Sequence, residues 1–222
     1  VARKEGFIAT TEDSLNRIEI TRFQERILKR YKNRFSHPLV LVPCSAKKPY
    51  SKSKSHRFFH QSIRFRGHKV SISSPLGIIP QELELTYPAQ HYDTVVTGNW
   101  SSDEVTKISK LLSQYIESNS YSNIIAHVPP GGYRDIVELA TKNSSIPIEY
   151  TVVDHPLSPA SLQNLDKSLS LVPHYSRRER MLYQAQAIAD YQFGNGAGDL
   201  LFTDCTLKGK YFARRIFDTD QI

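Results

Sequence analysis

Apolar positions along this chain follow two alternating patterns: short unbroken runs, and stripes that recur every three or four residues. Ile20, Phe23, Ile27 and Tyr31 recur at helical spacing behind a capping Thr10 or Thr11 and the acids Glu12 and Asp13. That spacing predicts one amphipathic helix over 11–34. Pro38-Leu-Val-Leu-Val42 is a run of branched side chains closed by Pro43, the pattern of a buried strand. Further strands are expected at Lys69–Ser74, Asp93–Thr97, Asn123–Val128 and Ile148–Val153. Val105, Ile108, Leu111, Leu112, Tyr115 and Ile116 form the stripe of a helix capped by Ser101 or Ser102. Another helix is expected over Tyr133–Lys142, and a short one after Pro159.

Strands of nearly continuous apolar character alternating with helices predict an α/β fold, a parallel sheet covered on both faces. The pattern changes after residue 172. Arg177–Phe193 reads as a helix with Met181, Ala185, Ile188 and Ala189 on one face, followed by Gly194-Asn-Gly-Ala-Gly198 and two strands, Leu200–Cys205 and Lys210–Phe217. The expected division is an N-terminal helix over 1–35, an α/β core over 36–172 and a small α+β domain over 173–222.

Composition narrows the function. The chain has 222 residues, 39% hydrophobic and 23% charged, an ordinary globular balance. No apolar run approaches the roughly 20 residues that span a bilayer, and Val1-Ala-Arg-Lys-Glu-Gly lacks the apolar core of a secretory signal. No membrane association is expected. Two cysteines, Cys44 and Cys205, make no disulfide framework and point to a reducing cytoplasm. Without a Cys-x-x-Cys pair no structural zinc is expected, and nothing calls for a cofactor. The net charge of +7 favours an anionic partner. Its clusters interleave cations with rings such as Phe58, Phe59, Phe65, Tyr211 and Phe212, a mixture suited to nucleic acid. Lys47, Lys52, Lys54, Arg57, Arg64, Arg66, Arg177, Arg178, Arg214 and Arg215 are the candidate phosphate contacts.

In parallel sheets ligands collect beyond the carboxyl ends of the strands. The expected ends here carry Cys44, Ser73-Ser74, Thr97-Gly98, His127 and Asp154. Cys44 follows a proline and precedes Lys47 and Lys48, cations that favour a thiolate. His56 could cap a helix or exchange a proton with that thiol. Glu82 and Glu84 are solvated loop acids or candidates to hold an amine or a guanine-like edge, and Asp154 shares the ambiguity. His127 reads as a satisfied core histidine, Gly131-Gly132 as a weak phosphate seat, and Cys205 as structural.

The string Pro43-Cys44-x-x-x-Lys48-Pro49-Tyr50-x-x-Ser53-x-x-His56 resembles the signature of archaeosine synthase, the archaeal paralogue of tRNA-guanine transglycosylase. Ser73-Ser-Pro-Leu-Gly-Ile-Ile-Pro-Gln-Glu-Leu-Glu-Leu-Thr-Tyr-Pro88 and His91-Tyr-Asp-Thr-Val-Val-Thr-Gly98 are similar to that family too. Tyr191-Gln-Phe-Gly-Asn-Gly-Ala-Gly198 resembles the opening of the small domain that precedes its PUA domain.

The resemblance implies a three-layer α/β/α sandwich like that of uracil-DNA glycosylase. It also implies a tRNA substrate whose D-loop carries 7-cyano-7-deazaguanine, the nitrile becoming an amidine. Free lysine is the expected donor, and a radical-SAM partner protein the expected next enzyme. Cys44 is then the candidate nucleophile and His56 the proton donor, with Lys48, Tyr50 and Ser53 positioning the base or stabilising the developing anion. Direct attack by lysine, with Cys44 only shaping the pocket, is equally consistent with the sequence. Ser74, Gly77, Glu82, Glu84, Tyr87, His91, Asp93, Gly98 and Asp154 are the candidate substrate contacts. A full-length family member also has a transglycosylase-like domain and a PUA domain, so the expectation is a split enzyme whose RNA-binding parts sit on a partner chain. The alternatives are a non-catalytic tRNA-binding subunit and a nucleobase glycosylase-like enzyme.

Overall fold

The computed structural model describes residues 15–35, 37–92 and 100–194. Six α-helices and five strands lie within them: α1 (Ile18–Lys29), β1 (Leu39–Pro43), α2 (Lys54–Ile63), β2 (His68–Ser73), β3 (Gly77–Pro80), α3 (Ser102–Glu117), β4 (Ile124–Ala126), α4 (Gly132–Thr141), β5 (Ile148–Tyr150), α5 (Pro159–Ser168) and α6 (Arg177–Phe193).

The strands form one sheet in the order β3-β2-β1-β4-β5. β2, β1, β4 and β5 run parallel, with Leu39 opposite both His68 and Ile124, but β3 is antiparallel to β2. The expected all-parallel sheet is therefore corrected to a mixed one. Ser74 and Pro75 turn the chain tightly instead of ending the sheet, and Gly77-Ile-Ile-Pro80 doubles back as an edge strand. An edge is the place in a sheet that tolerates a proline, which has no N–H to give the ladder. Gly77 sits at φ +83°, and a Cβ there would come within 2.3 Å of Leu111 Cδ2. It is a packing glycine against α3.

Alternate residues of the central strands point to opposite faces. Leu39, Leu41, Val70, Ile72 and Ile124 pack under α1, α3 and α4 in the larger core. Val40, Val42 and Ile125 pack under α2 and α5, against Phe59, Ile63, Leu165 and Leu169. All four residues Leu39–Val42 are fully buried, each worth about 1.5–3 kcal/mol of transfer free energy. Helices thus cover both faces.

Local chemistry sets the helix limits. α1 is shorter than the helix expected over 11–34. Beyond Lys29 the Asn33 side chain bonds the Phe35 N–H and C=O, an Asx-type closure that competes with helical bonding. α2 had no counterpart in the expected elements. Ser53 caps it, its Oγ accepting from His56 N at 3.1 Å, and Arg64 closes it at φ 48°. α3 and α6 each open with a full capping box, Ser101/Glu104 and Ser176/Glu179. α6 packs on the core. Arg34 Nη1 donates to Asp190 Oδ2 at 2.5 Å, and the Tyr191 ring lies 5.5 Å from that of Phe23. The strand expected at Asp93–Thr97 and the two expected after residue 200 lie outside the described residues, as does Cys205.

Candidate active site

The chain crosses from β1 to α2 on one face of the sheet and from β4 to α4 on the other. Neighbouring strands whose connections diverge open a crevice beyond their carboxyl ends, the usual ligand position in doubly wound sheets. Cys44 stands there, one residue past β1, its N–H donating to Ile72 O at 3.1 Å. Its half-buried Sγ is 3.1 Å from the Tyr133 hydroxyl, which comes from the first turn of α4 across the crevice. Gly131, at φ +86°, turns the chain into α4. Gly132 lets the Trp100 ring approach, since a Cβ there would meet Trp100 Cδ1 at 2.4 Å. Trp100 in turn packs edge-on to Tyr133, with centroids 4.8 Å apart.

A chain of hydroxyls continues behind the thiol. Tyr50 and Tyr92 share a hydrogen bond between their Oη atoms, and Tyr92 Oη lies 2.5 Å from Ser73 Oγ at the end of β2. Lys48 Nζ is 4.1 Å from the centroid of the Tyr92 ring. Burial pushes Tyr50, Tyr92 and Tyr133 well above the usual phenol range, and a negative Cys44 would push them further. These phenols stay protonated. The site therefore surrounds a thiol with neutral O–H groups and one cation.

The other signature residues support the loop from below. Ser53 is spent as the α2 cap. His56 is fully buried and stacks on Tyr50 at 4.7 Å. Its Nε2 pairs with Pro43 O at 3.1 Å and its Nδ1 with Lys69 Nζ at 3.4 Å. Burial, then the charge of Lys69, hold it well below the ordinary imidazole range. The expected pairing of His56 with the thiol is corrected: this ring is a neutral brace joining the loop to β2.

Glu82 and Glu84 do not meet the thiol either. They follow β3 back to the amino end of β2, where Glu82 Oε2 accepts from His68 Nε2 at 3.0 Å and its Oε1 from Tyr31 at 2.8 Å. Ile72, beside Cys44, is four residues further along the strand, roughly 13 Å away. Burial alone would raise Glu82, but His68 and the bonds from His68 and Tyr31 outweigh it and leave its carboxyl lowered.

The remaining candidates are scattered. Ser74 bonds Glu104, and His91 is half-buried. Tyr87 is exposed, its carbonyl accepting from Tyr191. Asp154 is exposed past β5, where Ser158 Oγ donates to it at 2.5 Å. His127 is the buried core histidine expected, between Thr151 and Pro156 O and lowered by burial to about 4. Lys47, Lys52, Lys54, Arg57, Arg64, Arg177 and Arg178 are exposed. Arg66 leaves the candidate RNA surface: it is buried, donating to Ser62 O, Ile63 O and Leu169 O and paired with Asp166. Asp93, Gly98, Arg214 and Arg215 lie outside the described residues. Among those described, no group of three or more His, Cys, Asp or Glu could hold a metal ion, and no helix is long and apolar enough to cross a membrane.

Sequence reasoning missed Tyr133, Trp100, Tyr92 and Lys69. The signal for Tyr133 was its place directly after Gly131-Gly132, at the opening of the helix that follows a strand. A buried lysine inside a strand, as at Lys69, gives no such signal.

Residues 20–169 match a family described as a domain of unknown function (DUF5591), and residues 183–219 match the patch-forming domain C2 of tRNA-guanine transglycosylase. An archaeosine synthase of Haloferax volcanii is 51% identical over 94% of this chain and 36% of its own length. An archaeosine synthase subunit alpha of Methanosarcina acetivorans is 39% identical over 97% of this chain and 36% of its own. A tRNA-guanine(15) transglycosylase of Methanobrevibacter smithii is 27% identical over 90% and 26%. The chain thus spans about a third of the length of the curated relatives it matches best among these. The crystal structure of AF0587, a protein of unknown function, superposes with a TM-score of 0.63 at 29% identity, covering 78% of this chain and 57% of that one.

Proposed function

The chain belongs to the DUF5591 family and is a homologue of the archaeosine synthases, and from that premise we propose that it carries out amidine formation on tRNA. The substrate in this reading is 7-cyano-7-deazaguanine in the D-loop, and free lysine donates the amine. The observation that carries it is the Cys44 Sγ–Tyr133 Oη contact of 3.1 Å at the strand-end crevice.

A nitrile carbon is a weak electrophile, and covalent catalysis divides its conversion into two easier steps. Cys44 Sγ forms a bond to the nitrile carbon, one C–N π bond opens, and the thiol proton passes to the nitrile nitrogen by way of the Tyr133 hydroxyl. The thioimidate is then attacked by the neutral amine. The C–N bond forms, the C–S bond breaks, and a proton from the amine returns to sulfur. No electrons are gained or lost overall. Tyr133 takes the proton-transfer role first expected of His56, because it touches the thiol and burial keeps its O–H intact. Lys48 and the Tyr50–Tyr92–Ser73 chain steady the negative charge that develops on nitrogen. His56 and Ser53 act on the loop, not on the substrate.

The exposed cations Lys47, Lys52, Lys54 and Arg57 on and beside the signature loop would meet the tRNA backbone. A base in the tRNA elbow has to leave its stack to reach the crevice. The subunit alpha names of relatives support assembly with another chain, which would supply PUA or transglycosylase domains; a radical-SAM protein would process the lysine adduct. The sandwich likeness to uracil-DNA glycosylase belongs to the same reading. The test is nucleoside mass spectrometry of cyano-deazaguanine tRNA incubated with this chain and lysine, alone and with a PUA-bearing partner. A lysine adduct is expected in at least one arm, and its absence from both would sink the reading.

A further inference from the structure

The peptide unit that carries the thiol is held at both of its polar atoms. The Cys44 N–H donates to Ile72 O at 3.1 Å, and the Pro43 carbonyl accepts from His56 Nε2 at 3.1 Å. The first hold comes from β2 directly. The second comes from β2 one step removed, because the other ring nitrogen of His56 faces Lys69 Nζ at 3.4 Å. Lys69 stands opposite Val40 in the register, before the Pro43–Ile72 pair. Its side chain reaches two rings of α2, His56 and His60, which lie one turn apart on the same helix face.

Donor and acceptor roles follow from the partners, since an ammonium only donates and a backbone carbonyl only accepts. Nε2 of His56 therefore carries the ring proton, and Nδ1 is the lone pair that takes a bond from Lys69. His60 accepts from the same ammonium at Nε2, 3.0 Å away, so its proton sits on Nδ1. Both rings are neutral. Burial, then the charge of Lys69, lower His56 well below the ordinary imidazole range and His60 to about 3. Lys69 itself is 1% exposed. Burial lowers it to about 8, while the charges of Glu84 and Glu82 from the turn after β3 hold it up, so the ammonium dominates at neutral pH. A buried ammonium is costly unless it is bonded. Here it is bonded to two acceptors whose tautomers it dictates.

We propose that Lys69 is a positioning residue for Cys44: its ammonium locks His56 and His60 in opposite neutral tautomers, and the ring of His56, so fixed, holds the Pro43 carbonyl and with it the direction of the thiol. Lys69 acts through His56 and stays buried behind the loop. Its effect on rate rests on the amidine-forming reading; its effect on the two rings and on the thiol does not.

Nitrogen-15 NMR of the chain labelled at histidine reads the tautomers directly, with His56→Gln and His60→Gln for assignment. At neutral pH His56 is expected as the neutral Nε2–H form and His60 as the neutral Nδ1–H form. Lys69→Met should leave His60 a mixture of tautomers and change the alkylation rate of Cys44 by iodoacetamide, followed by peptide mass spectrometry, about threefold or more. It should lower kcat about tenfold or more, with KM for tRNA within about twofold of the parent. Lys69→Arg, which keeps the charge and the donors, should restore kcat to within about threefold of the parent. A lysine that only fills space would change the melting temperature and leave tautomers, alkylation and kcat as they are. The proposal is overturned if the parent shows either ring in the other tautomer or as imidazolium, or if folded Lys69→Met keeps the parent's tautomers, alkylation rate and kcat. The parent spectrum applies that test even where Lys69→Met fails to fold. If no form of the chain makes amidine, the proposed reaction fails, and the spectra and the alkylation rate still decide the role of Lys69.

Discussion

The two ends of β2 solve opposite problems. At its carboxyl end Ser73 joins a set of neutral hydroxyls behind a half-buried thiol, and burial keeps those phenols protonated. At its amino end His68 and Lys69 are buried charges or potential charges, matched by Glu82 and Glu84. One end offers protons and room for a reacting carbon. The other balances charge inside the fold and spends most of its polar atoms doing so. The lesson is that a run of polar residues in a signature block divides by strand direction. Because β3 doubles back, acids that follow Pro80 in sequence land at the wrong end of the sheet to serve the cysteine.

Substitutions can break that contrast, and the largest effect is expected at the thiol. Cys44→Ser should lower amidine formation by about a thousandfold or more with the melting curve little changed, since it removes the nucleophile while nearly keeping the size of a half-buried side chain at the edge of the larger core. At the other end Glu82→Gln should cost stability, about 3 kcal/mol in urea unfolding at neutral pH, by stranding His68 without its carboxylate. The pH dependence has a definite sign. Because the folded carboxyl is lowered, its contribution is complete above the unfolded value of 4.5 and is lost as pH falls through the folded value. Glu82→Gln should lack that acid-side loss.

Tyr133→Phe sharpens the same contrast. It should slow the reaction by about ten- to a hundredfold and leave stability nearly intact, whereas a purely structural tyrosine would reverse that order. Lys69, lowered by burial to about 8, should make the fold more stable as pH rises from about 8 towards 10.5, because the unfolded chain binds the extra proton there. Lys69→Met should flatten that rise in a set of melts across the window. The smallest effect is expected on the surface. Lys52→Gln and Arg57→Gln should each weaken tRNA binding about threefold and lower the slope of affinity against salt by about one contact.

Much of the sheet was legible because buried strands are written in continuous branched runs. Leu39–Val42 and Ile124–Ala126 are unbroken apolar segments, and the stripe from Ile108 to Ile116 has no strand alternative. α2 was not legible, since Lys54-Ser-His-Arg-Phe-Phe-His reads as a charged loop until Ser53 is seen to cap it. β3 was hidden by its flanking prolines, which mark breaks in sequence but suit an edge strand in space. Cys44 could be singled out from its place after β1 and before two lysines. Tyr133 carried only its place after Gly131-Gly132, and it takes the strand order to bring α4 beside β1. His56 and Ser53 show the converse. A fixed spacing in a signature marks residues that must be present, and bracing a loop is as strict a requirement as touching a substrate.

The role of the thiol is tested most directly by intact-protein mass spectrometry after incubating the chain with cyano-deazaguanine tRNA, with any required partner, in the absence of amine. The expected result is a covalent adduct on Cys44 that is absent from Cys44→Ser and is discharged on adding lysine. Amidine formation that persists in Cys44→Ser, with no adduct on the parent protein, would contradict it and leave the cysteine only shaping the crevice.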